Sequence, residues 1–298
     1  MRSLLLPAGC VLLGMVVVLT LIGAFYLPYP PEALGTPYLP PCGAHPFGTD
    51  WFGRDVLSRV MAGGKVSLGI AGAAVAMGGS AGLLIGALAG YYGGLLDELL
   101  MGAVNLIMAL PAILMALVLL LVLGPGWYGV TAAIALFNVP YFARIVRGSF
   151  LSLRERDFVT AARAYGAGTS RIILRHLFPN ALSPLLVQLT TSLSTALLVE
   201  ASLSYLGLGP QPPQPSWGRM LREAQSYFSL SPWPAIFPGL VLAMAVMGLN
   251  LLGDGLQELR IQGVKSPNSR GSSPGRRWGR RLPLGGRSGR RRSGGDPG

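Results

Sequence analysis

Residues 157–180 read DFVTAARAYGAGTSRIILRHLFPN, a polar stretch with three arginines set between long apolar runs. Asp157 carries a side-chain oxygen able to cap a helix. The sequence predicts that helix over 158–165, stopped where Gly166 takes the left-handed backbone conformation. Thr169 or Ser170 is expected to cap a second helix, and Pro179 to end it, because proline has no N–H to give to a helical ladder. Between these signals lie Ala161, Ala162, Ala164, Gly166, Ala167 and Gly168, so the bend has little side-chain bulk. A neighbouring protein can reach its backbone, and the stretch is expected to be a docking surface; an ordinary connector is the alternative.

Outward from this elbow the chain reads as a membrane protein. Of 298 residues, 51% are hydrophobic and 12% charged, with a mean hydropathy of +0.51, too apolar for a soluble domain of this size. Apolar length and the turn residues between runs place six spans, at about 8–27, 66–90, 99–123, 127–145, 181–203 and 236–256. The expected fold is an all-α integral membrane protein with six transmembrane helices. Arg2 before an apolar run has the look of an export signal, but the length of that run matches the hydrocarbon core and predicts a retained anchor helix. Three regions follow: 1–62, an anchor helix and external loop; 63–262, the transmembrane domain; and 263–298, a basic tail.

Charge sets the expected orientation. Arg144, Arg147, Arg154, Arg156, Arg163, Arg171 and Arg175 cluster after the fourth span, and short cytoplasmic loops accumulate such residues. The elbow, the N-terminus and the C-terminus are therefore expected in the cytoplasm, and the two Pro-rich segments, before the second span and at 207–234, outside. The tail holds ten Lys and Arg against one acidic residue. Its Arg, Gly, Ser and Pro composition predicts disorder, with a topology role or binding to anionic lipid. Nucleic acid is not an expected partner of a membrane-tethered tail.

Within the spans, Gly78, Gly82, Gly86 and Gly90 recur every four residues, a pattern for close helix packing or for a sliding contact. Pro111 is expected to bend the third span. In the fifth, Gln188, Thr191, Thr195 and Ser202 share a face, which either lines a solute path or bonds to neighbouring helices. Glu200 near its outer end is a candidate for the path, with a solvated position or a structural pairing as alternatives. Cys10 and Cys42 supply neither a disulfide framework nor a thiolate metal site. Gly63, Gly64, Lys65, Val66 and Ser67 lack the upstream glycine and the hydroxyl after lysine that a phosphate-binding loop needs, so this chain is not expected to bind ATP. His45 and His176 are expected on opposite sides of the bilayer, which leaves no cluster for catalysis.

Thr160, Ala161, Ala162, Gly166 and Pro179 at their spacing resemble the EAA loop of ABC importer permeases, with Thr160 in place of the glutamate, His176 in place of isoleucine and Phe178 in place of leucine. The flanks HPFGTDWFGRDVLSR (45–59), RHLFPN (175–180), EASLSYLGLG (200–209), PSWGRML (215–221) and NLLGDGL (250–256) are similar to the dipeptide, oligopeptide and nickel branch, in particular its C-type subunit. The resemblance implies a type I importer permease fold with a cytoplasmic coupling helix, in the plasma (inner) membrane of a bacterium or archaeon. It implies a second permease subunit, two ABC ATPase subunits that hold ATP and magnesium, and an external solute-binding protein. It also implies no cofactor, metal or catalytic residue on this chain. Ala161, Ala162, Arg163, Gly166 and Pro179 would form the ATPase-docking surface, with Arg163 a salt-bridge donor. Gln188, Thr191, Thr195 and Glu200 would line the path. The expected solute is a peptide, with nickel chelates and glutathione as alternatives; a secondary transporter that needs no ATPase is the rival from another class.

Overall fold

Asp55 begins the helix that organises the molecule: its Oδ2 accepts the N–H of Ser58 at 2.7 Å, and the chain then stays helical to Tyr92. The computed structural model describes residues 4–265. In chain order the helices are α1 (Leu5–Phe25), α2 (Val56–Tyr92), α3 (Gly94–Ala109), α4 (Ala112–Leu123), α5 (Trp127–Arg154), α6 (Asp157–Ala164) and α7 (Thr169–Ile172). A π turn (Ile173–Leu177) then leads into α8 (Phe178–Tyr205), followed by α9 (Trp217–Gln225) and α10 (Trp233–Lys265). No strand occurs among the described residues. Five of these helices are long and apolar enough to cross a bilayer, and the bent pair α3–α4 makes a sixth crossing if it counts as one span. Each of the six expected spans falls on a helix, the third on the bent pair α3–α4. The predicted tail lies outside the described residues, apart from 263–265 at the end of α10.

The boundary drawn at 62/63 falls inside α2, which starts at Val56 rather than at 66. Polar Ser58, Arg59 and Lys65 hid this start from a hydropathy reading; Ser58 and Arg59 are buried against the rest of the chain. The N-terminal helix is likewise no appendage. Gly9 meets the α10 backbone at Gly248 and Leu252, and Gly255 meets Leu6, so α1 lies flat on α10.

The glycine stripe of α2 is a packing seam. A Cβ on Gly82 would come to 2.5 Å from the Val139 carbonyl oxygen and 2.8 Å from Phe142 Cβ. Gly78 meets Ala135, Gly86 meets Ala143 and Gly90 meets Phe150, so each four-residue step on α2 has its counterpart on α5. Interlocking rows of this kind allow backbones to touch, and van der Waals contact then holds the pair where water cannot drive association. Gly69 and Gly72 face away and, among the described residues, meet nothing within 4 Å.

Pro111 acts as expected. The chain breaks between α3 and α4 at Leu110 and Pro111, and the two helices meet at 90°. Asp97 on α3 accepts from Arg147 on α5 at 2.6 Å, so an arginine counted as a loop charge in fact fastens two helices. The fourth span continues past 145 to Arg154.

The two Pro-rich segments pack on each other at the end of α2 where Asp55 stands. Trp51 stacks on Tyr227 with ring centroids 5.2 Å apart. Glu223 of α9 accepts from Arg54 at 2.9 Å, Arg59 at 2.8 Å and Arg219 at 2.8 Å, and Asp50 accepts from Arg54 at 2.7 Å. Trp217, fully buried, donates its indole N–H to the Val60 carbonyl at 3.0 Å.

Burial alone would push the Glu223 carboxyl up, but Arg59, the bond from Arg219 and the charge of Arg54 hold it below the ordinary glutamate range. Because it stays ionised to lower pH when folded than when unfolded, its contribution is complete above the ordinary glutamate pKa. That contribution fades as pH falls through the depressed folded value. Glu223→Gln is expected to cost about 3 kcal/mol at neutral pH, since it leaves three guanidinium groups short of a partner. The loss should shrink on acidification, which thermal unfolding in detergent between neutral pH and pH 3 measures.

Candidate functional site

The elbow is built by a complete helix-stop motif. Gly166, at φ +78°, donates its N–H to the Arg163 carbonyl at 2.9 Å, and Ala167 donates to the Ala162 carbonyl at 3.0 Å. This is the paired closure of a Schellman end, which only a residue at ease in the left-handed region completes without strain. Two expected caps are corrected. Arg156, in extended conformation, is the cap position of α6, and Asp157 is its first helical residue, where a carboxylate complements the helix dipole. Gly168 caps α7, and Thr169 is its first residue.

Pro179 does not end the second helix. α7, the π turn and α8 form one continuous rod over Thr169–Tyr205, 37 residues and about 55 Å long. At the π turn Phe178 donates to the Ile173 carbonyl, a five-residue step, and Pro179 follows within the first turn of α8. A change of hydrogen-bond register is where a missing donor disturbs the ladder least.

The elbow is seated on the body by Val159, Ile172 and Leu177, each at most 1% exposed. The end of α2 braces it: the Arg163 guanidinium lies 5.7 Å from the Tyr91 ring centroid, and the Tyr91 hydroxyl reaches Thr169 Oγ1 at 3.4 Å. Of the predicted docking residues, Ala161, Arg163, Gly166 and Pro179 are exposed and Ala162 is half-buried. Tyr165, missed in the sequence, is 92% exposed at the tip.

Of the four residues expected on one face, Gln188, Thr191 and Thr195 come together and Ser202 does not join them. With Ser192 they line a recess of about 140 Å³ whose other wall is Phe137, Asn138 and Tyr141 from α5. A second recess of about 270 Å³ shares Phe137 and Tyr141 and runs under the α3–α4 break at Leu110 and Ala112. Among the described residues, no charged side chain lines either recess. Thr191 and Thr195 turn their hydroxyls to the carbonyls of Val187 and Thr191 on their own helix, while Gln188 donates to Ser192 Oγ at 3.0 Å. Interhelical bonding by these hydroxyls is therefore not what the structure holds. The α5 wall was missed because residues 137–142, FNVPYF, read as one more apolar stretch; the isolated Asn138 was the available signal.

Glu200 is not in that recess. It is fully buried on another side of α8, where Oε1 accepts from Ser204 at 2.7 Å and the hydroxyls of Ser67 and Ser216 stand beside the carboxyl. Of the readings open for Glu200, the solvated one is excluded, because α9, through Gly218 pressed on Ala201, closes over this part of α8, and the bond from Ser204 is a structural pairing.

The family model of the binding-protein-dependent transport system inner membrane component matches residues 82–266. The chain is 41% identical over 226 residues to the dipeptide transport system permease protein of Alkalihalophilus pseudofirmus strain OF4, across 76% of this chain and 74% of that one. It is 44% identical over 214 residues to the glutathione transport system permease protein of Escherichia coli O6:H1 strain CFT073, across 72% and 71%. Among solved structures, the inward-facing MetNI methionine ABC transporter matches with a TM-score of 0.54 at 20% identity, over 68% of this chain and 95% of that one. An amino acid ABC transporter matches at 0.51 and 20% identity, over 68% and 94%. These two likenesses concern the fold.

Proposed function

The chain belongs to the family of binding-protein-dependent transport system inner membrane components, and from that premise we propose that it is one of two permease subunits of an ATP-driven peptide importer. In this reading the elbow faces the cytoplasm and docks on an ABC ATPase through Ala161, Ala162, Arg163, Gly166 and Pro179. ATP and magnesium belong to the two ATPase subunits. The Pro-rich loops face outward toward a solute-binding protein, and both termini lie inside.

The observation that carries this reading is the rod over Thr169–Tyr205. It begins at the exposed elbow, passes the uncharged recess at Gln188, Thr191 and Thr195, and ends against α9 at the loop end. A displacement of the elbow is thereby delivered to both the recess wall and the outer loops as a rigid-body motion. Facing the recess with amide and hydroxyl groups rather than charges suits a peptide backbone, whose groups are the same whatever the side chains. The named relatives transport a dipeptide and glutathione, itself a small peptide, which favours peptides over a nickel chelate.

The test is uptake by proteoliposomes that hold this chain with the permease, ATPase and binding-protein products of adjacent genes. Accumulation of labelled di- and tripeptides that requires both ATP and the binding protein is expected. Transport by this chain without an ATPase would favour a secondary transporter, and uptake confined to nickel chelates would overturn the peptide assignment.

A further inference from the structure

Three sequence motifs left unused by the elbow and the polar recess converge at the loop end. Residues 45–59 supply Trp51, 200–209 supply Ser204 and Gly207, and 215–221 supply Arg219 to one cavity of about 340 Å³. Its walls are fixed in advance. Trp51 is stacked on Tyr227. Gln211 Nε2 donates to the carbonyls of Gly209 at 2.8 Å and Gly207 at 3.1 Å, pinning the loop. Arg219 is committed to Glu223.

Arg222 differs from its neighbours. Its guanidinium lies against Gly207, where any Cβ would collide with it, and among the described residues no carboxylate pairs with it. Around the cavity and the layer beneath stand four guanidinium groups, Arg54, Arg59, Arg219 and Arg222, against two carboxylates, Asp50 and Glu223. Glu200 stays behind Ser204, buried within the chain. A recess with surplus positive charge, one uncommitted planar fork of donors and an aromatic wall suits a carboxylate attached to an apolar or peptidic body. Its volume is that of a small-molecule site.

We propose that this cavity binds the free carboxylate of a peptide-sized solute, with Arg222 as donor and the Trp51–Tyr227 pair as the wall for the adjoining atoms. The proposal rests on the peptide-import reading above. It is tested in the reconstituted complex with saturating binding protein, by comparing uptake of a labelled dipeptide and of its C-terminal amide by the wild-type chain and Arg222→Gln. The external protein selects between peptide and amide equally in both, so a change in the ratio reads the cavity.

For the dipeptide, KM is expected to rise about tenfold in Arg222→Gln, with the amide unaffected and Arg222→Lys restoring part of the difference. Thermal unfolding should not move. An unchanged ratio with weaker binding of the external protein would assign the carboxylate to that protein and overturn the solute assignment. An unchanged ratio with unchanged affinity would remove the site. Both results leave peptide uptake by the wild type intact, whereas a wild-type complex that takes up no peptide defeats the peptide reading and this proposal with it.

Discussion

Gly82→Leu is expected to destabilise the chain by on the order of 3 kcal/mol, enough to deplete the folded subunit in detergent extracts. Its first added atom would stand 2.5 Å from the Val139 carbonyl oxygen and 2.8 Å from Phe142 Cβ, and neither backbone can retreat while Gly78 and Gly86 hold the same two helices together. The same helix supplies the control. Gly69 meets nothing within 4 Å, so Gly69→Leu should leave the melting curve where it was. Equal losses from both substitutions would mean that the seam is not what holds α2 to α5. The contrast also bears on movement. A seam in which backbone touches backbone at every fourth residue leaves no room for a small slide, so α2 and α5 are expected to travel as one body when access changes sides.

The second large effect is at the elbow. A Cβ on Gly166 would meet no atom of the described residues within 4 Å, so Gly166→Leu creates no clash with them. It does force an L-residue to φ +78°, at a cost of about 1–2 kcal/mol confined to the exposed bend. It also puts bulk on the proposed docking face. Uptake and peptide-stimulated ATP hydrolysis by the complex are expected to fall together by about tenfold, with membrane insertion and the yield of folded subunit unchanged. Gly166→Asn, which tolerates the left-handed region, should recover the elbow's stability but only part of the transport. Normal uptake by Gly166→Leu would remove the residue from the docking surface.

Features that depend on a few neighbouring residues were legible in the sequence. Pro111 marked the α3–α4 break, Gly166 the end of α6, and the four-residue glycine spacing the close approach of α5. Of the four polar residues grouped in the fifth span, Gln188, Thr191 and Thr195 share a recess because helical period alone puts them on one face, whereas Ser202 does not line it and bonds to the Leu198 carbonyl of its own helix. What failed depended on a single backbone angle or on distant partners. Whether Asp157 caps α6 or begins it is set by the extended conformation of Arg156. Pro179 reads as a helix end unless a π turn precedes it, and nothing in ILRHL announces one. Arg54 and Arg59 meet Glu223 across 169 and 164 residues of chain, a distance over which charge pattern carries no pairing information. Glu200 was misplaced for the same reason, because the α9 segment that buries it is folded back from a loop that reads only as Pro-rich.

The most direct measurement of the central claim is photo-crosslinking of the assembled complex in native membranes. A benzophenone amino acid is placed at Ala161, exposed on α6, and separately at Leu121, 86% exposed on the apolar α4. If the elbow receives mechanical work from a nucleotide-hydrolysing subunit, position 161 captures the ATPase in high yield and position 121 does not. Capture of only lipid or external protein at 161, with the complex intact, would contradict the account.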